Sequence, residues 1–357
     1  MGKEPKPTAL VVGATGIAGG ALSERLLAKG WQVLGLSRSE PADPRVQHIA
    51  ADAVDSGSVR AALAGRQPDF VFFTVWSRQA TEDENIAVNG GIVRDVLNAV
   101  TRSGSVRHVA LVTGLKHYMG PFEAYGIGEI RDTPFHEDET RISVPNFYYA
   151  QEDEMFASAA EHGFTWSVHR AHTMIGYATG NAMNMALTIG VAAALCKEAG
   201  RPLHFPGNEV QWNGLTDMTD VRLLADHMIW AATTPAAANT PYNVTNGDVF
   251  RWRWMWPRVM KMLGMEPVVF DGTVRTLSEQ MPELESFWPI VVDKHDLIER
   301  DVGRLASWWH TDGDLTRPIE CLVDMSNSRE RGFSEYKSTV GAFADAYQEY
   351  RDAAILP

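Results

Sequence analysis

The sequence predicts an α/β protein, an open doubly wound parallel sheet with a smaller C-terminal domain interleaved with it. Three observations carry this. Short apolar runs alternate with helix-period stretches from Ala9 to Arg170, the pattern of a parallel sheet covered on both faces. The first run passes directly into a glycine-rich turn, Gly13-Ala14-Thr15-Gly16-Ile17-Ala18-Gly19-Gly20. The residues best suited to bind something stand just past the ends of these runs, and ligands bind at the C-terminal ends of the strands in such sheets.

Ala9-Leu10-Val11-Val12 reads as the first strand, buried on both faces. The helical pattern after the glycine turn presents Leu22, Leu26 and Leu27 on one face and stops at Gly30. Strand, glycine turn and helix together form the phosphate-binding context of a Rossmann-type fold. Gly13 permits the tight turn, Gly16 the approach of a pyrophosphate, and Gly19 the packing of helix on strand. Thr15 and Ile17 complete this set of cofactor contacts. The spacing is G-x-x-G-x-x-G rather than G-x-G-x-x-G.

Gln32–Leu36 is the second strand, ending at Ser37-Arg38. An NAD site places an acidic residue near this point to hold the ribose hydroxyls. Arg38 stands there instead, and a guanidinium suits a 2′-phosphate, so the sequence favours NADP(H). Val46–Ala50 is the third strand, with Asp52 placed to accept from an adenine amino group or to start a turn. Phe70–Val75, Val106–Thr113 and Phe164–Arg170 are the fourth to sixth strands. Helices are expected near Ser56–Ala64 and Glu84–Arg102. Thr74, Trp76 and Thr113 join Gly13, Arg38 and Asp52 at the strand ends.

The 357 residues suffice for one large domain or two smaller ones. A formal net charge of -13 argues against nucleic acid, whose phosphates need a basic surface. Cys196 and Cys321 are the two cysteines, with neither metal-site spacing nor a disulfide framework. The start of the chain is polar, and the apolar run near Ile189–Cys196 is too short to span a bilayer. These features lead to the expectation of a cytoplasmic protein without metal or membrane partner, for which a homodimer is a possible assembly.

The stretch from Leu111 to Glu152 carries the chemistry. Hydride transfer to a polarised double bond leaves negative charge on a carbonyl oxygen, which needs a proton donor. A phenol serves if a nearby cation supports it. The Tyr-x-x-x-Lys spacing that short-chain dehydrogenases use is absent: Glu152 and Asp153 stand four residues after Tyr148 and Tyr149. Lys116, at the exit of the fifth strand, is the substitute, and Tyr148 its partner. Tyr149 is the rival donor, because adjacent helical residues cannot face the same way. His117 reads as a local hydrogen-bonding residue.

Thr113-Gly114-Leu115-Lys116-His117-Tyr118-Met119-Gly120-Pro121-Phe122 and Asn146-Phe147-Tyr148-Tyr149 resemble the paired motifs of the progesterone 5β-reductase/iridoid synthase-like family, which are atypical extended short-chain dehydrogenases. The resemblance extends over nearly the whole chain, including Thr74-Val75-Trp76, Trp166–Arg170 and Asn243–Phe250. It implies that Lys116 and Tyr148 are the catalytic pair. It also implies NADPH-dependent reduction of the carbon–carbon double bond of enones or enals by 1,4-addition. The expected partner is a small hydrophobic enone or enal.

The division expected is a cofactor domain over 1–178, joined by a returning helix over 216–233, with 179–357 mainly substrate-binding and cover. Phe250-Arg251-Trp252-Arg253-Trp254-Met255-Trp256 reads as a helix packing its tryptophans rather than a nucleic-acid stripe. The acidic region 271–314 reads either as a mobile cover or as an ordinary helical layer. Trp76, Met119, Phe122 and Met183 are the expected pocket wall. Two other readings stay open, a carbonyl reductase or epimerase on the same scaffold and a non-catalytic NADP-binding sensor.

Overall fold

The computed structural model describes residues 6–125, 131–180 and 182–357. Residues 126–130 of the loop after Phe122, and Asn181, lie outside the described set. Six strands follow the expected order: β1 Thr8–Val12, β2 Gln32–Ser37, β3 Gln47–Ala50, β4 Phe70–Phe73, β5 His108–Gly114 and β6 Thr165–Ala171. Two short segments, β7 Met174–Ile175 and β8 Thr219–Asp220, pair with each other. A further strand, β9 Thr240–Val244, completes a parallel sheet of order β3-β2-β1-β4-β5-β6-β9.

The strand β9 was not expected, since its run is short and holds Pro241. It lies at the sheet edge, where a missing N–H costs no ladder bond. The fourth strand stops at Phe73, short of the expected Val75. There the Thr74 hydroxyl donates to the Val12 carbonyl at 2.8 Å and the chain turns over the sheet edge. Strand order reverses between β1 and β4, and this switch point is where a doubly wound sheet opens a ligand crevice.

Alternation along β1 builds both layers. Leu10 and Val12 pack with Val93, Val96 and Leu97 of the helix Glu82–Val100 on one face. Ala9 and Val11 pack with Leu22 and Leu26 of α1 Ile17–Ala28 on the other. The helix Val221–Thr233 joins that second layer through Leu224 and Met228. It starts later than expected, because Thr219–Asp220 pairs with β7 and the Asp220 carboxylate then caps the helix by accepting from the Arg222 N–H.

A third core gathers residues between Ile175 and Leu356. Trp252 and Trp256, four apart on the helix Trp252–Met262, are fully buried in it, while Trp254 is exposed beneath the Arg258 guanidinium at 3.7 Å. Met281 and Trp288 are fully buried in the same core. Those parts of 271–314 are therefore a packed layer. Trp309, near its end, is 43% exposed.

A buried hydrogen-bonded chain crosses the sheet: His108 to Ser167 at 2.8 Å, Ser167 to His169 at 2.9 Å, His169 to His227 at 3.0 Å, and His227 to Ser328 at 2.9 Å. Burial lowers His108 and His227 to about 3 and His169 well below the ordinary value. The folded state thus keeps them neutral, while the unfolded chain binds protons below pH about 6.5. Stability is then lost as pH falls, by about 1.4 kcal/mol per pH unit for each histidine. Glu137, raised by burial to about 7, opposes with one proton over the same window. Urea titrations between pH 6.5 and 4.5 should show a monotonic loss of stability; a flat profile would refute this account.

Candidate active site

The glycine turn is shaped by close packing. Gly13 has φ +90°, and its N–H donates to the Leu36 carbonyl at 2.9 Å, which seats the turn against the end of β2. A Cβ on Gly19 would lie 2.1 Å from the Gly13 carbonyl oxygen and 2.7 Å from the Thr74 hydroxyl. The N-cap of α1 is Gly16, which offers no side chain to the first-turn N–H groups. Thr15 and Ile17 flank it, so those N–H groups remain for an anion.

Ser37 ends β2 and Arg38 follows directly, beside this turn. The Ser37 hydroxyl is turned back to the Ser39 carbonyl at 2.7 Å, whereas Arg38 is exposed. The Asp52 carboxylate starts a turn, accepting from the Val54 N–H at 3.1 Å. Thr113 ends near the switch point with a buried hydroxyl that has no partner among the described residues. The glycine cradle, the exposed guanidinium and this orphaned hydroxyl together fit a dinucleotide carrying a 2′-phosphate.

One residue organises the proposed pair. The Asn146 side-chain amide donates to the Lys116 carbonyl at 2.7 Å, and its oxygen accepts from the Tyr148 N–H at 3.0 Å. It is also the N-cap of the helix Phe147–His162. Lys116, only 9% exposed, places its ammonium 4.4 Å from the Phe122 ring centroid and 5.1 Å from those of Trp76 and Phe147. Trp76 itself stacks on Phe147 at 5.2 Å. The Tyr148 hydroxyl lies against Gly114, 3.2 Å from where a Cβ would stand there.

Burial pushes the Tyr148 phenol upward, and the charges of Glu82 and Asp314 push it further the same way. Both effects favour the protonated phenol, the form that can donate a hydrogen bond. The rivalry with Tyr149 is decided by packing. Its hydroxyl donates to the His117 carbonyl at 2.6 Å and accepts from the Ile142 N–H at 3.1 Å, away from the cavity. His117 is buried, its Nε2 3.3 Å from the Glu139 carbonyl, a local role as expected.

Lys116 and Tyr148 line one cavity, and Trp76, Met119, Phe122 and Met183 all line it with them. Ile17 and Thr113 are in its wall too, so it adjoins the glycine turn. Sequence reasoning missed the rest of the wall, in particular His172, His310, Asp314 and Arg317. His172 stands one residue past β6, at the sheet edge where ligands bind, and that position was legible. His310, Asp314 and Arg317 arrive from a segment well over a hundred residues downstream, with no local motif. They make the cavity only partly apolar.

Residues 9–245 match the NAD dependent epimerase/dehydratase family. The (S)-8-oxocitronellyl enol synthase CYC2 of Camptotheca acuminata is 34% identical over 99% of this chain and 94% of its own length. The 3-oxo-Delta(4,5)-steroid 5-beta-reductase of Arabidopsis thaliana is 34% identical over 98% and 93%. Among solved structures, the UDP-glucose 4-epimerase of Thermotoga maritima superposes with a TM-score of 0.66, covering 97% of this chain and 99% of that one, at 14% identity, which is a likeness of fold. The chain therefore belongs to the NAD dependent epimerase/dehydratase family and, within it, to the progesterone 5β-reductase/iridoid synthase-like group.

Proposed function

We propose that this chain is an NADPH-dependent reductase of the activated C=C bond of enones or enals, working by 1,4-addition. The observation that carries the reading is the shared cavity, in which Tyr148 and Lys116 face a largely aromatic and methionine wall beside the glycine turn. The kinship with enol synthases and a steroid 5-beta-reductase supports the same reaction class.

The Gly13–Gly19 turn and Arg38 would hold NADPH, which would supply the hydride to the β-carbon. The protein's part is electrostatic. As the electron pair moves to the carbonyl oxygen, the Tyr148 hydroxyl donates a hydrogen bond to it and stabilises the enolate. Lys116 supports the cofactor ribose and adds positive potential where charge develops. Its aromatic surroundings keep water away, which strengthens that potential. The enolate then takes a proton from solvent at the α-carbon to complete the saturated carbonyl product. Residues 179–357 supply the remaining pocket wall and cover. Cys196 and Cys321 are both buried and free, which supports a reducing, cytoplasmic setting.

NADPH absorbance followed with progesterone, 8-oxogeranial, 2-cyclohexen-1-one and cyclohexanone tests the reading. Oxidation with an enone or enal but not with cyclohexanone is expected. Turnover of cyclohexanone would point to carbonyl reduction, and silence with all four despite NADPH binding would point to a sensor. Arg38→Ala should weaken NADPH binding roughly 10- to 100-fold, the worth of charge-assisted hydrogen bonds, and leave NADH binding within about threefold. Equal losses for both cofactors in a fluorescence titration would remove Arg38 from 2′-phosphate recognition.

A further inference from the structure

Besides its apolar residues, the cavity holds a locked arginine and a carboxylate. The lock starts at Asp217, whose Oδ2 accepts from the Val323 N–H at 3.0 Å and whose Oδ1 faces His172 Nδ1 at 2.7 Å. His172 Nε2 lies 2.8 Å from Arg317 Nη1. A guanidinium only donates, so Nε2 accepts and Nδ1–H donates to Asp217, which fixes a neutral imidazole and its tautomer. Arg317 Nε donates to the Asp314 carbonyl at 2.8 Å, and Nη1 also reaches Cys321 Sγ at 3.3 Å. Arg317 is 4% exposed and Asp314 7%.

Among the described residues, the remaining polar atoms have no partner. Arg317 Nη2 makes no hydrogen bond to any described residue. One oxygen of Asp314 accepts from the Thr173 hydroxyl at 2.8 Å, and the other accepts from no described residue. His310 Nδ1 is buried without a partner among the described residues. Burial raises the Asp314 carboxyl, but the Arg317 guanidinium, with the Thr173 hydrogen bond acting the same way, pulls it below the ordinary range, which favours the carboxylate. All of these side chains line the cavity of Lys116 and Tyr148.

We propose that this wall selects substrates carrying a hydroxyl group in addition to the enone or enal, a specificity that rests on the reductase reading above. A hydroxyl accepts from Arg317 Nη2 and donates to the open Asp314 oxygen at once. A carbonyl would answer the arginine and leave the carboxylate unpaired. A carboxylate would meet the ionised Asp314 with like charge. A wholly apolar tail would strip water from a guanidinium, a carboxylate and an imidazole with no replacement, and sites with such unpaired groups reject the analogue that lacks the partner.

The test is steady-state NADPH oxidation with 2-alkenals of about five to eight carbons, each plain, with a terminal hydroxyl, and with a terminal carboxylate. At the best chain length the hydroxyl form should exceed the plain one in kcat/KM by about tenfold or more, and the carboxylate should fall below both. Asp314→Asn should bring the hydroxyl-to-plain ratio close to one; a general loss of activity cancels in that ratio. If the variant does not fold, the wild-type ratio decides alone. Equal turnover of hydroxyl and plain alkenals overturns the proposal while leaving the reductase reading intact. No oxidation of any alkenal overturns the proposal, and the reductase reading falls with it only if progesterone, 8-oxogeranial and 2-cyclohexen-1-one are silent as well.

Discussion

Replacing Tyr148 by Phe should cut enone-dependent NADPH oxidation by roughly 10²-fold or more while NADPH binding stays as it was. The hydroxyl lines the cavity beside Gly114 and is the donor proposed to bind the carbonyl oxygen as it gains charge. The loss should appear in kcat, because the hydrogen bond strengthens only as the enolate forms. Tyr149→Phe is the control. Its hydroxyl bonds to His117 and Ile142, so that variant should lose about 1–3 kcal/mol of stability, with kcat within about threefold. A Tyr148→Phe enzyme at the wild-type rate would remove the phenol from the mechanism. Full loss in Tyr149→Phe instead would exchange the two roles.

Gly19→Ala carries the second large effect. Its methyl would lie 2.1 Å from the Gly13 carbonyl oxygen, a contact with backbone that cannot rotate aside. The helix α1 must then move off β1, which displaces the turn that would hold the pyrophosphate. Overpacking of this kind costs about 1–3 kcal/mol. NADPH affinity should fall by about 30-fold or more, read by fluorescence titration on protein that still melts cooperatively. Gly20→Ala is the comparison, since a Cβ there meets its nearest neighbour, the Ala14 carbonyl oxygen, at 3.9 Å. Its affinity should stay within about threefold. Equal losses in the two variants would contradict the role assigned to Gly19.

How far the sequence could be read depends on how locally each feature is encoded. Leu10-Val11-Val12 followed by Gly13 and Gly16 names a strand, a turn and a helix within a few residues, because the chain's own sterics and periodicity produce them. Asn146 caps its own helix, so the entry at Phe147 was legible. The same residue's second bond, to the Lys116 carbonyl, was not, because it joins positions 30 residues apart. The strand Thr240–Val244 escaped for a related reason. Its pattern is weak, and only pairing with Ser167–Ala171 makes it a strand.

The sequence by itself determined the doubly wound sheet, the glycine turn, the arginine that follows the second strand and the motifs around Lys116 and Tyr148. Each rests on neighbouring residues or on a run of one period. Tertiary structure alone decided which of two adjacent tyrosines faces the cavity, that its surroundings favour the protonated phenol, and that Arg317 and Asp314 reach the substrate wall. Those outcomes depend on burial and on charges brought from distant segments. Neither a low dielectric nor a contact across 141 residues, as between Thr173 and Asp314, leaves a mark in local spacing.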